Sequence, residues 1–144
     1  MGKPILLRPA KLSDADLLLA WRNDPLTRVN SHNSVLITRE AHIAWLEASL
    51  QLPTRRIWIA EQHGTPVGSI RADKTDEHWL LSWAVAPEHR GHGVGCGMLI
   101  AALGRIDGPV RAEIKADNSA SRRIASAAGL RHTGTMAEVE VWTR

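Results

Sequence analysis

Arg90-Gly91-His92-Gly93-Val94-Gly95 stands between two apolar stretches. Trp79 to Val85 precedes it and belongs to a strand read over 77–85. Val94 to Leu103 follows it with helical spacing. Strand, glycine-rich loop and helix form the arrangement that cradles phosphates. Three glycines let the backbone come close to a ligand and turn several N–H groups toward one point. The helix that begins there adds the positive end of its dipole. A pyrophosphate suits such a loop, although a plain turn gives the same pattern. Two familiar nucleotide frames do not fit. Gly95-Cys96-Gly97-Met98 follows where a P-loop needs Gly-Lys-Ser/Thr. A dinucleotide fold would place the motif after its first strand, not past the middle of the chain.

Outward from the loop, the elements read as follows. Pro4 to Arg8 is a strand. Ser13-Asp14-Ala15-Asp16 is a capping box that opens a helix to about Arg22. Asn23 to Leu36 is polar and reads as a loop. Thr38 caps a helix to about Leu50, with Glu40 in its first turn. Strands are expected over 56–61, 67–72, 77–85 and 110–115. Helices are expected over 93–106 and 118–128, the second closed by Gly129. A last strand pair covers 130–135 and 139–143. The order βααβββαβαββ describes an α/β chain, with a mixed sheet and helices on both faces. A length of 144 residues suits a single domain spanning 1–144.

The stretch Val85 to Gly95 closely resembles the acetyl-CoA loop of the GNAT N-acetyltransferases. That family's motif is Arg or Gln, two residues, Gly, one residue, Gly or Ala, and Arg90, Gly93 and Gly95 fill it. Asn118-Ser119-Ala120-Ser121, with Gly129-Leu130 beyond it, resembles the family's second segment at the expected distance. Trp21-Arg22-Asn23-Asp24-Pro25, followed by Glu40 to Leu46, is similar to two subgroups. One acetylates ribosomal-protein N-termini and the other amino groups on nucleotide-linked sugars. Gly68 to Asp73 leans toward the second.

The resemblance implies acetyl-CoA as co-substrate and an amine acceptor, either a small molecule or a protein N-terminus. It also implies that the strands over 77–85 and 110–115 splay, so that the pantetheine arm lies between them. Coenzyme contacts would come from Trp83, Ala84, Val85, Arg90, Gly91, His92, Gly93, Val94 and Gly95, and from Asn118 and Ser121. Asn118 serves equally well as a helix N-cap. In the family the backbone N–H near Val85 binds the thioester carbonyl. Glu77 is the first candidate for a general base, on the face of the strand shared by Trp79, Leu81, Trp83 and Val85. His42 and Asp73 are alternatives. The family's thiolate acid is commonly a Tyr in the last helix, at the place of Ala125. This chain has no Tyr, so Ser126 beside it, water or the substrate fills the role, or the domain is a non-catalytic acyl-CoA-binding module. Trp21, Arg22 and Arg71 would line the acceptor side, with Trp21 equally suited to the core. Dimers are common in the family, and a homodimer is compatible with the sequence.

Composition bounds these readings. Hydrophobic residues are 44% and charged residues 23%, ordinary for a globular protein. The net charge of +3 is mild, and its basic residues are scattered. Neither a basic helix nor an aromatic ladder argues for nucleic acid. A single cysteine, Cys96, excludes an internal disulfide and any cysteine metal site. No stretch approaches the ~20 apolar residues of a membrane span. The run Met1 to Leu7 is too short for a signal peptide, and Leu6 stands where myristoylation wants Ser or Thr. A cytoplasmic place is expected. Six Trp with no Phe or Tyr implies that indoles do much of the packing.

Overall fold

The computed structural model describes residues 4–144. The first three residues of the N-terminal run lie outside the described residues. Strand β1 is Leu6–Pro9. A 3-10 turn, Leu12–Asp14, leads to helices α1 (Ala15–Asn23), α2 (Pro25–Val29) and α3 (Arg39–Leu50). Strands β2 (Arg55–Gln62), β3 (Thr65–Lys74) and β4 (Trp79–Val85) follow. Next come a 3-10 turn (Pro87–His89), α4 (Val94–Leu103), β5 (Val110–Lys115), α5 (Ser119–Ala127), β6 (Arg131–Met136) and β7 (Val139–Thr143). The strands form one sheet in the order β1-β2-β3-β4-β5-β7-β6. Every neighbouring pair is antiparallel except β4 and β5, which run parallel.

The mixed α/β architecture agrees with the sequence reading, with three local corrections. First, the stretch expected as a loop holds the short helix α2. Asp24 caps it by accepting the Thr27 N–H at 3.2 Å, and Pro25 sits at its first turn. Second, the cap before α1 is not built by Ser13 and Asp16. The Asp14 carboxylate accepts the Lys11 N–H at 2.8 Å and grips the Arg8 guanidinium with both oxygens, each at 2.8 Å. Asp16 instead pairs with Arg39 at 2.8 Å. Third, Glu77 is not in β4. The Thr75 hydroxyl accepts the N–H groups of Glu77 and His78, at 3.3 and 3.1 Å, and donates to the His78 carbonyl at 2.9 Å. Those groups are spent in a turn, so strand pairing starts at Trp79.

Two apolar layers sandwich the sheet. On one face α4 places Met98 and Leu99, both fully buried, against β1, β3 and β4. On the other face Leu18, Trp21 and Leu46 of α1 and α3 meet Ile57 and Ile59 of β2. Burial of Trp21, Trp58, Trp79 and Trp142 bears out the packing role expected of the indoles. Trp45 and Trp83 are left partly open, and both face the same cavity.

Candidate active site

β4 and β5 pair only from Trp79 to Leu81 against Val110 to Ala112. Beyond that point they separate, while β4 stays paired with β3 through Val85. The splay implied by the resemblance is therefore present. A cavity of about 960 Å³ opens through the gap. Ser82 to Val85 form one side, with Glu113 and Ile114 on the other.

Backbone polarity in the gap follows from strand alternation. The Ala86 N–H donates to the Val67 carbonyl on β3 at 2.8 Å. Successive residues of a strand present their N–H groups to opposite edges. The Val85 N–H therefore points into the gap, where β5 has departed. By the same period the Trp83 N–H does too. An extended ligand inserted there meets strand-like donors without needing special side chains.

Beyond the C-terminal end of β4 sits the glycine loop. Gly91 and Gly93 have φ of 80° and 77°, values that side-chain-bearing residues adopt at a cost. Gly93 is the N-cap of α4 and offers no side-chain cap. The first-turn N–H groups of α4 are thus left for a ligand. Gly95 is needed for a different reason. A Cβ there would lie 2.3 Å from Ile124 Cδ1, so its absence lets α4 and α5 close around the loop. The open backbone, the helix terminus and the unpaired strand edge fit a pyrophosphate joined to an extended arm.

Arg90, Gly91, Gly93, Val94, Gly95, Trp83, Ala84, Val85, Asn118 and Ser121 all line the cavity. His92 does not; it is exposed on the loop. Asn118 accepts the Ser121 N–H at 3.2 Å and so caps α5 while facing the cleft. Arg90 reaches across the molecule. Its Nη2 donates to Asp24 Oδ2 at 2.7 Å and to Thr27 Oγ1 at 3.1 Å. Burial by itself would raise the Asp24 carboxyl. The Arg90 and Thr27 hydrogen bonds outweigh this and hold it below its ordinary value.

The catalytic candidates drawn from sequence lie elsewhere. Glu77 is exposed in the turn before β4, and the strand from Trp79 to Val85 alone spans roughly 20 Å. Ser126 is exposed on the outer side of α5, beside Arg122 and Trp142. Its neighbour Ala125 is fully buried. Successive helix residues are turned by about 100°, and that rotation carries the hydroxyl away from the cleft. Of the two alternatives to Glu77, His42 and Asp73 both line it.

The side of the cleft opposite α4 is built by α1, α3 and β3. Trp21 is buried, as expected of a core residue, and it also lines the cavity. Arg22 and Arg71 line the wall as well. Trp45, not singled out in the sequence, is central to it. Its ring stacks on His42, with centroids 5.7 Å apart, and lies under the guanidinium groups of Arg55 and Arg71 at 5.5 and 5.6 Å. The spacing of His42 and Trp45, three apart on α3, was the available signal.

Burial pushes the His42 pKa below the ordinary 6.5, and the nearby Arg22 charge adds to this; a hydrogen bond with the Ala15 backbone works the other way. His42 is therefore neutral at physiological pH. On unfolding it regains its ordinary affinity for protons. Stability should fall as pH drops below the ordinary value, because the unfolded chain takes up a proton that the folded ring refuses. Thermal unfolding between about pH 7.5 and about pH 5 checks this, with a shallower slope expected in His42→Gln. Identical slopes in both proteins would remove His42 as the cause.

Among the described residues no cluster of His, Cys, Asp or Glu could hold a metal ion. No described helix is long and apolar enough to cross a membrane.

Comparison with known proteins adds three observations. The family described as an acetyltransferase (GNAT) domain matches residues 5–131. No curated protein matches the sequence. Solved structures superpose over nearly the whole chain. A ribosomal-protein-alanine N-acetyltransferase from Brucella melitensis is 25% identical, with a TM-score of 0.78 and 96% of each chain covered. RimL, a ribosomal L7/L12 α-N-protein acetyltransferase in complex with coenzyme A, is 14% identical at a TM-score of 0.86, covering 99% of this chain and 94% of that one. Aminoglycoside acetyltransferase AAC(6')-Ib, also with coenzyme A, is 16% identical at 0.84, covering 97% and 94%.

Proposed function

This chain belongs to the GNAT family of acetyl-CoA-dependent N-acetyltransferases, and from that premise we propose that it acetylates a small primary amine, of the kind carried by amino sugars on nucleotides. The observation that carries this reading is the indole lining of the cleft on the α1/α3 side of the sheet. Trp21 and Trp45 both line it there, and indole faces suit a sugar or base ring.

Acetyl-CoA supplies an acetyl group activated as a thioester. The glycine loop and the α4 terminus hold its pyrophosphate, and the exposed edge of β4 aligns its arm. The Val85 N–H, directed into the gap, donates to the carbonyl oxygen as negative charge develops there. One such donor is worth ~2.7–4 kcal/mol in comparable sites. Placement of the amine beside the carbonyl supplies much of the remainder. His42, kept neutral by burial, is the group in the cleft best suited to take the amine proton, directly or through water. With no Tyr in the chain, water or the acceptor's own proton serves the departing thiolate. The free Cys96 suits a reducing compartment, and we place the enzyme in the cytoplasm, acting as a single domain.

A second reading, a protein N-terminus as acceptor, draws support from the 25%-identical ribosomal-protein enzyme. Thiol release from acetyl-CoA, measured with a nucleoside-diphosphate amino sugar beside an N-terminal alanine peptide, separates them. Turnover of the sugar is expected. Turnover of the peptide alone would transfer the assignment to the second reading.

A further inference from the structure

Four buried side-chain nitrogens have no hydrogen-bond partner among the described residues: Arg22 Nη1, His42 Nε2, Arg71 Nε and Trp83 Nε1. They sit on four different elements, and all four residues line the cleft. Arg71, which pairs with Ile57, lies on the α1/α3 face of the sheet with Arg22 and His42. Unmet donors are costly inside a protein, and Arg22 Nη1 and Arg71 Nε on this one face mark a place that an acceptor of hydrogen bonds completes.

The charges agree. Asp73 lies between two guanidiniums: its Oδ1 accepts from Arg55 Nε at 2.6 Å, while its Oδ2 is 3.1 Å from Arg71 Nε, an ion pair without hydrogen-bond alignment. One carboxylate therefore serves two cations. The terminal nitrogens of Arg71 donate to nothing among the described residues. Arg22 has no carboxylate partner among the described residues. It spends one N–H on the Asn33 carbonyl, at 2.6 Å. Burial draws protons away from both arginines, reinforced at Arg22 by Arg28. Trp45 lies flat against Arg71, and Arg55, further fixed by the Ser49 hydroxyl at 2.8 Å, flanks the same ring. The Arg71 fork is thus held in place before any ligand arrives.

We infer that the acceptor amine carries an anionic group, a carboxylate or a phosphate ester, which Arg71 and Arg22 bind on the α1/α3 side of the cleft. A guanidinium fork matches either group with two parallel hydrogen bonds. The inference rests on the transferase reading but not on the acceptor being a sugar. It sets this cleft against polycationic acceptors such as the ribostamycin found with AAC(6')-Ib, whose amines would face Arg22 and Arg71, of which only Arg71 has a carboxylate partner among the described residues, one it shares with Arg55. The same positive field lowers the pKa of the bound ammonium and favours the free amine.

The test is an acceptor series at saturating acetyl-CoA, read by thiol release: propylamine, 3-aminopropanoate, 3-aminopropyl phosphate and ribostamycin. At least one anionic amine should exceed propylamine in kcat/KM by more than about 100-fold, since charged hydrogen bonds of this kind carry one to two powers of ten each. The two anionic arms separate carboxylate from phosphate. In Arg71→Gln and Arg22→Gln the preference should collapse to less than about 10-fold. The calorimetric Kd for acetyl-CoA should stay as in the parent, which also shows that the variants are folded. Equal use of propylamine, turnover of ribostamycin, or a preference that survives both substitutions would overturn the inference. Should nothing turn over, Trp fluorescence decides: an anionic amine that shifts the emission in the parent but not in Arg71→Gln supports it, and no shift overturns it. Failure of the parent to bind acetyl-CoA would instead overturn the transferase reading beneath.

Discussion

Gly93→Asp should abolish acetyl-CoA binding, weakening the calorimetric Kd by more than about 100-fold. Two effects add. Gly93 holds φ at 77° as the N-cap of α4, and a side chain there costs roughly 1–2 kcal/mol in backbone strain. The larger effect is electrostatic. The substitution sets a carboxylate at the helix terminus where pyrophosphate charge must sit, and like charges at close range repel by several kcal/mol in a partly dry site. Gly93→Ala separates the two, because it adds the strain without the charge. There the affinity should fall by about 10-fold, the equivalent of the strain alone. A Cβ at this position meets nothing within 4 Å, so steric blockage by the protein does not confuse the result. Unaltered affinity in the Asp variant would mean that the pyrophosphate is not bound at this loop.

Gly68→Ala should be among the most destabilising single changes in the chain, although it adds one methyl group. A Cβ there would lie 2.6 Å from the Ala84 carbonyl oxygen and 2.6 Å from Met98 Sδ. The methionine can swing aside, but the carbonyl belongs to the β3–β4 ladder and cannot move without its strand. Overpacking of this kind costs about 1–3 kcal/mol, and for a chain of this size the upper end lowers Tm by roughly 10 °C. The consequence reaches the site. Relief of the clash displaces Ala84 and with it the Val85 N–H, so acetyl transfer should fall beyond what the loss of folded protein explains. Thermal melting together with kcat, both on protein that remains folded, reads the two effects. A melting temperature equal to the parent's would show that the strands are not held this close.

Much of this architecture was legible in residue order. β5 coincides with its expected bounds because its residues alternate in burial, and β7 coincides as a short run buried at its centre. Helix α3 begins where expected because Thr38 accepts the Ala41 N–H at 3.2 Å. The loop was legible because Gly91 and Gly93 adopt a conformation that side chains resist. The failures have equally local causes. Glu77 continues the alternation of Trp79 and Leu81, yet the Thr75 hydroxyl takes its N–H group and ends the ladder early. Ser126 adjoins the position of a family acid but is turned to the far side of α5. Asp24 is 66 residues from Arg90, and no periodicity relates them. The meeting of Arg22, His42 and Arg71 on one face of the sheet is of the same kind: it exists only after α1, α3 and β3 have assembled.

The separation of β4 from β5 bears on more than recognition. Only three residue pairs join the two halves of the sheet, β1–β4 and β5–β7. A guest that bridges the opening supplies the rungs the chain itself omits, so the folded state gains from ligand by mass action. Saturation at 100 times Kd adds about 2.7 kcal/mol. The durability of this protein is in that sense borrowed from the pool of its coenzyme, and depletion of the pool leaves a weaker seam at the middle of the sheet.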